Sequence, residues 1–369
     1  MNRDRYGNTW RMSMNISLKL LSAGVAALFI AQGVLAAGAP TEKPQMRIPQ
    51  KVSAIRGVQT TGIAVTEAGD LYTNAPNWRD GVPFAVAKVD RQSGQYKPYP
   101  NAAMNRCVAD SIVREDCFLA VQSVVAYQGK LYVLDTRNPK FRGVKDAPRV
   151  FVFNLSDNRL ESTLILTEGS YHSDSYINDL RIDGPNRRIY MTDSNHPGLV
   201  VFDLAKNKSY RFLDDDKSTS AEVDHLMIDG KPWNNTVHSD GIALDRKNGT
   251  LYFHALSGYT LYAIDTRYLV PGTDAAKHVR KIATTSAPDG MIMDGNGNLY
   301  FGDLEKHGIN YRDPNGKIHP LAQGENVGWA DSFAIHDGWL YYTDSRIHQV
   351  RGPVSDMEFP IYRVRMPKQ

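Results

Sequence analysis

One pattern of polar and apolar positions recurs six times along the chain: a polar residue opens an apolar run, and a Leu-Tyr-like pair follows nine to eleven residues later. The copies read TGIAV…LY from Thr61, QSVVA…LY from Gln122, NDLRI…IY from Asn178, DGIAL…LY from Asp240, DGMIM…LY from Asp289 and DSFAI…LYY from Asp331. Within a copy the side chains alternate faces: Leu251, Phe253 and Ala255 share one side and Tyr252 and His254 the other, which is strand periodicity. No window sustains helical periodicity over three turns. The links DRKNG (Asp245 to Gly249) and DGNGN (Asp294 to Asn298) carry the residues of tight hairpins, so each copy predicts two adjacent antiparallel strands. A third strand of recurrent type follows each copy, as in RVFVFN from Arg149 and TLYAID from Thr260, and a fourth is legible at KSYRFL from Lys208 and VRKIAT from Val279.

No copy can bury both of its faces alone. Fixed-period self-similarity of this kind predicts an all-β, six-bladed β-propeller, with four-stranded antiparallel blades around a central channel. The last copy runs out of chain after its third strand, Pro360 to Arg365. Its missing outer strand is expected from Met46 to Val58, which would close the ring and hide two sheet edges. The long connections, 101–119, 138–148, 168–176, 214–237 and 324–328, are expected to decorate the faces.

The N-terminal segment stands outside this pattern. Arg3, Arg5, Arg11 and Lys19 precede a short apolar run, Leu20 to Val34, and Val34-Leu35-Ala36 offers small residues for cleavage, so residues 1–36 are expected to be a signal peptide. Residues 37–54, with Pro40 to Pro49, are expected to form a linker or the ring-closing segment, and 55–369 the propeller domain. The apolar run is shorter than a membrane span requires. Export places the mature chain in a secreted or periplasmic compartment. Of 43 basic and 40 acidic residues, residues 1–36 hold four and one, which leaves 39 of each. This balance gives no electrostatic footprint for nucleic acid or an anionic membrane. A small-molecule ligand is the expected partner. The two cysteines, Cys107 and Cys117, lie in a loop-like stretch between the first two copies. In an oxidising compartment they read as a disulfide, with two free thiols as the alternative.

At RIYMTDSNHPGLVVFDLAKNKSYRF from Arg188, HSDGIALDRKNGTLYFHALSGYTLYAI from His238, GWADSFAIHDGWLYYTDSRIHQ from Gly328 and LYVLDTR from Leu131, the chain resembles the Yellow and major royal jelly protein family. The resemblance covers most of residues 55–365. It implies a secreted six-bladed propeller, and activities that range from dopachrome conversion through amine binding to nutritional or structural roles. Many members carry a second cysteine just before LYVLDTR. Gln128 stands there in this chain, so a disulfide here has to use Cys107.

Set in register, Thr61, Gln122, Asn178, Asp240, Asp289 and Asp331 occupy one equivalent position before the innermost strands, which in a propeller converge on the channel mouth. All six side chains offer oxygen, and such a set suits Ca²⁺ or Mg²⁺. Asn178, Asp240, Asp289 and Asp331 are the candidate metal ligands. Without a cation, carboxylates facing one another push at least one pKa upward. The bland reading is that Asp or Asn before Gly caps a turn. The strands YINDLRID, SDGIALD and APDGMIMD also look like the ligand-bearing strands of the senescence marker protein and gluconolactonase family, which are metal-dependent lactonases. That family takes a further metal-binding Glu from the first blade, where this chain has Thr60 or Thr61.

Asp240, Asp289 and His238 are the candidate catalytic groups, the carboxylates as bases and His238 as a proton shuttle. Trp329 and Tyr176 are expected to stack on an aromatic ligand, with Gln122, Thr61 and His254 as further lining. The function these readings predict is binding, with isomerisation in the manner of a tautomerase, of a small aromatic or amine-bearing metabolite at the channel mouth. The alternatives are a cation-dependent lactonase or esterase and an inert interaction protein.

Overall fold

The computed structural model describes residues 46–91, 93–110 and 112–368. The expected signal peptide and the first part of the 37–54 segment lie outside these residues. Six four-stranded antiparallel sheets follow one another along the chain, beginning with inner strands Ile63–Val65, Val121–Tyr127, Ile177–Asp183, Ser239–Asp245, Met291–Met293 and Ala330–His336. Each inner strand touches the inner strands of the two adjacent blades, so the sheets close into a ring.

The sixth blade is built from both ends of the described chain. Gln50–Arg56 pairs antiparallel with Glu358–Arg365, with Gln50 opposite Arg363 and Arg56 opposite Glu358. Pairing at this position converts two open edges into ladder hydrogen bonds.

The hairpins form where the turn residues demand them. Asp245 accepts from the backbone N–H groups of Lys247 and Asn248, both at 3.0 Å, and Gly249 follows at φ +63°. Asp294 likewise accepts from Asn296 and Asn298, both at 2.8 Å. The core lies between the blades rather than within them. Leu180, Ile189, Met191, Val200 and Phe202 of the third blade pack on Leu134, Val150 and Leu164 of the second, and all eight are buried. Full burial of each such large side chain contributes about 1.5–3 kcal/mol.

Among the described residues, two connections carry an α-helix or a hairpin of their own. The stretch read as a loop holds a nine-residue helix, Ala102–Asp110, whose first turn is capped by Asn101 accepting from the Met104 N–H at 3.0 Å. At this length it offers no three-turn periodicity to detect. Asn105 seats it on the first blade by accepting from the Ala85 and Val86 N–H groups. Cys107 on this helix is disulfide-bonded to Cys117, with Cα atoms 5.8 Å apart. Between the third and fourth blades, Leu226–Ile228 and Lys231–Trp233 form a separate hairpin. Buried Leu226 and Ile228 anchor it against Leu256, Leu304 and Trp329. Among the described residues, no helix is long and apolar enough to cross a membrane.

Candidate functional site

In four of the six repeats the polar opening residue is aimed by a backbone irregularity. In four blades the inner strand slips register at that residue: between Val121 and Ser123, Ile177 and Leu180, Ser239 and Gly241, and Ala330 and Phe333. A bulge breaks alternation and re-aims a side chain, here toward the channel axis. The glycine that follows Asp240 and Asp289 answers a packing need. A Cβ on Gly241 would meet the Asp289 carbonyl oxygen at 2.9 Å, and one on Gly290 would meet the Asp331 carbonyl oxygen at 2.5 Å. Neither glycine has the positive φ of a hairpin turn. These Asp-Gly pairs mark close approach of neighbouring blades, so the turn-capping reading does not describe them.

Gln122, Asn178, Asp240, Asp289 and Asp331 thereby share the floor of a cavity of about 490 Å³ at the channel mouth. Asn178 donates its amide N–H to Asp240 Oδ2 at 2.6 Å, and Trp329 Nε1 donates to Asp289 Oδ2 at 2.6 Å. Burial, reinforced by the charges of Asp331 and Asp179, raises the Asp240 pKa well above the usual carboxylate range. Burial does the same to Asp289, with Asp331 and Asp240 adding to it. The Asp331 pKa is pushed up to about 7, first by burial and then by Asp179 and Asp344. At neutral pH the floor therefore retains protons that exposed carboxylates would have lost. One step further into the channel stands a fourth acid, Asp179, paired with Arg181 at 2.9 Å. Periodicity flagged neither residue, because both lie inside a strand that reads as ordinary alternation.

The walls are aromatic. Tyr176 is buried, accepts from Trp78 Nε1 at 2.6 Å and donates to Gln122 Oε1 at 2.7 Å. Phe141 stacks on its ring at a centroid distance of 4.4 Å. Opposite, Trp329 meets Trp233 edge-on at 5.0 Å, and Trp233 is carried in by the inserted hairpin. Arg79 and Arg351 also line the cavity. Trp78, Phe141 and Trp233 come from connections without periodicity, so the repeat gave no signal for them.

Two expected lining residues, Thr61 and His254, and the expected proton shuttle, His238, sit elsewhere. Thr61 is fully buried and its hydroxyl accepts from the Asn74 amide at 3.0 Å, within the blade framework. His254 is a satisfied core histidine: Nδ1–H donates to the Ala255 carbonyl at 2.6 Å, Nε2 meets the Thr285 hydroxyl at 2.8 Å, and burial lowers its pKa to about 4. His238 lies outside the cavity, accepting the Ala221 N–H on Nδ1 at 3.0 Å. Ideal alternation would put it on the face of Asp240, two residues on. The bulge at Asp240 breaks that parity, so His238 is not placed to shuttle protons over the floor.

The floor's oxygen-only donors, Asn178, Asp240, Asp289 and Asp331, are chemically compatible with a hard divalent cation such as Ca²⁺ or Mg²⁺. They are set more widely than two histidine-containing groups whose ligand atoms lie within 4.8 Å of one another: His172, His196 and Asp214, and Asp229, His307 and His348.

Six closed blades with a cavity at the mouth of their channel define a six-bladed propeller protein. More narrowly, the chain belongs to the major royal jelly protein family, whose model matches residues 120–346. Major royal jelly protein 3 of Apis mellifera is 21% identical over 260 residues, a match covering 63% of this chain and 46% of that protein. The chain thus spans about half the length of that curated relative. Among solved structures, a gluconolactonase from Xanthomonas campestris matches with a TM-score of 0.52 at 15% identity, over 85% of this chain and 87% of the other. A luciferin-regenerating enzyme matches with a TM-score of 0.52 at 13% identity, over 86% and 95%. These structural likenesses concern the fold.

Proposed function

We propose that this protein is exported and binds a small aromatic metabolite bearing a protonated amine, with the ring between the cavity walls and the ammonium over the acidic floor. The observation that carries this reading is the juxtaposition of five aromatic side chains, Trp78, Phe141, Tyr176, Trp233 and Trp329, with three buried carboxylates that have few donors. An ammonium supplies the missing donors and charge, and aromatic faces attract it further. The disulfide is in keeping with an oxidising compartment. A group that titrates near neutrality, as Asp331 does, is also suited to take a proton from a bound ligand and return it. That is the requirement for isomerisation.

The test is calorimetry with catecholamines and indoleamines, their deaminated analogues and sugar lactones, with and without Ca²⁺. Amines are expected to bind without added metal, deaminated analogues to bind more than about tenfold more weakly, and Asp289→Asn to abolish the difference. Equal affinity for amine and deaminated analogue would overturn the reading.

A second reading rests on the oxygen-only floor and on the solved gluconolactonase that shares the fold. Asn178, Asp240, Asp289 and Asp331 would hold the cation, which when bound would acidify a water or polarise a lactone carbonyl. Lactone turnover that requires Ca²⁺ or Mg²⁺ and is lost on chelation would favour it over amine binding.

A further inference from the structure

The inserted hairpin is held at its tip by a cluster that the channel-mouth cavity does not use. Asp229 occupies the hairpin turn at φ +53°, beside Gly230 at φ +69°. His307 comes from the turn between the second and third strands of the fifth blade, and His348 from the turn after the second strand of the sixth. Three segments far apart in sequence thus deliver two imidazoles and one carboxylate to one point. His307 Nε2 lies 2.7 Å from Asp229 Oδ1, His348 Nε2 lies 3.6 Å from Asp229 Oδ2, and the two rings are 5.4 Å apart between centroids.

The hydrogen bonds behind this cluster assign the ring nitrogens. The Gly328 carbonyl lies 2.9 Å from His307 Nδ1, and a carbonyl oxygen only accepts, so Nδ1 carries the proton. Nε2, facing the carboxylate, is then a second N–H donor in the charged ring or, once that proton leaves, a lone pair free to ligate a metal ion. Backbone carbonyls that fix a histidine tautomer from behind are a recurrent support for metal-ligating imidazoles. His348 is buried beneath the site, stacked on Trp329 at 5.7 Å, and its Nδ1 is buried without a hydrogen-bond partner. On its outer side the cluster opens on a surface cavity of about 660 Å³, lined in part by Asp229, His307 and Glu325, which gives an ion a route in.

We propose that Asp229, His307 and His348 form a divalent transition-metal site that pins the inserted hairpin to the propeller face. Two nitrogens and one oxygen suit Zn²⁺ rather than Ca²⁺ or Mg²⁺. Tetrahedral Zn²⁺ sets its donors roughly 3.3 Å apart, so adjustments of about 1 Å complete the geometry. The comparable group at His172, His196 and Asp214 is less apt, because the Arg211 guanidinium already neutralises Asp214. Binding would stiffen the hairpin that carries Trp233 into the cavity wall, independently of what the cavity holds.

The experiment titrates the untagged full chain with Zn²⁺ by calorimetry and with Co²⁺ by visible absorption. One equivalent is expected, with the intense absorption of tetrahedral Co²⁺. His307→Gln and Asp229→Asn should each weaken binding by more than about tenfold, whereas His172→Gln should not. Asp229 sits on a surface turn, so its variant keeps the test interpretable if a change at buried His348 impairs folding. No saturable binding, or binding unaltered by both variants, overturns the proposal, as does loss of binding in His172→Gln alone.

Discussion

Asp135, Asp193 and Asp344 end the second strands of their blades, and Asp240, Asp289 and Asp331 open the inner strands; all six are buried. The first three are surrounded by donors. Asp135 accepts from the N–H groups of Leu119, Ala120 and Arg137 at 2.7 to 3.0 Å, and from the Arg137 guanidinium at 3.3 Å. Asp193 accepts from the backbones of Tyr176, Asn195 and His196 and from Arg211, while Asp344 accepts from the Trp329 N–H and Arg346. The inner three face one another instead, with one side-chain donor each at Asp240 and Asp289. Asp344 shares the upward pKa shift caused by burial, so the shift alone does not separate the sets. The number of donors does. A carboxylate that tethers backbone amides is part of the scaffold, whereas one left short of donors is available to a ligand or a proton.

The sharpest way to break this comparison is Asp135→Ala. It leaves the backbone N–H groups of Leu119, Ala120 and Arg137 buried without their acceptor and the Arg137 guanidinium with Asp146 as its remaining carboxylate, and should lower stability by about 3–5 kcal/mol in denaturant unfolding. A loss under about 1 kcal/mol would mean that the outer set is not structural. Next comes Cys107→Ser with Cys117→Ser, because the Cys117 carbonyl accepts from the same guanidinium at 3.1 Å. Opening a loop of ten residues should cost about 2–3 kcal/mol, read in the same assay. Asp289→Asn should act in the opposite sense, raising stability at pH 8 by about 1 kcal/mol through relief of repulsion. A fall equal to that of Asp135→Ala would erase the distinction between the sets.

A last test lies in the pH profile. Because the folded-state pKa of Asp331 is raised to about 7, the folded protein holds this proton more tightly than the unfolded chain between roughly pH 4 and 7. Its contribution to stability is therefore full below that window and declines as pH rises through it, by at most about 1.4 kcal/mol per unit. Asp331→Asn should flatten the difference in Tm between pH 5 and pH 8 relative to wild type. Superimposable profiles would show that Asp331 is charged throughout.

Strand count, blade count and the ring of openings were legible because each rests on a period that survives in the sequence as Leu-Tyr pairs and β-branched alternation. What a period cannot show is departure from itself. The bulge at Asp240 turned a correct register into a wrong side for His238, and Thr61, in the same register as Asp240, bonds Asn74 instead of entering the cavity. The aromatic walls stayed hidden for another reason. Trp78, Phe141 and Trp233 lie in connections whose course is fixed by tertiary contacts, such as Trp78 Nε1 to the Tyr176 hydroxyl, that no local preference encodes.

The pairing of Gln50–Arg56 with Glu358–Arg365 also sets an order of events during synthesis. Gln50 and Arg363 are 313 residues apart in the chain, yet their side chains meet in the sixth blade. Five blades can assemble in sequence as the polypeptide emerges, while the strand that will seal the ring waits through all of them with its edge unsatisfied. Closing that separation costs roughly 3 kcal/mol more than closing a hairpin of ~10 residues, a cost met only once the last strand is available. A circular permutant in which Gln50–Arg56 follows Arg365 through a short linker would turn the slowest contact of the propeller into one of its fastest.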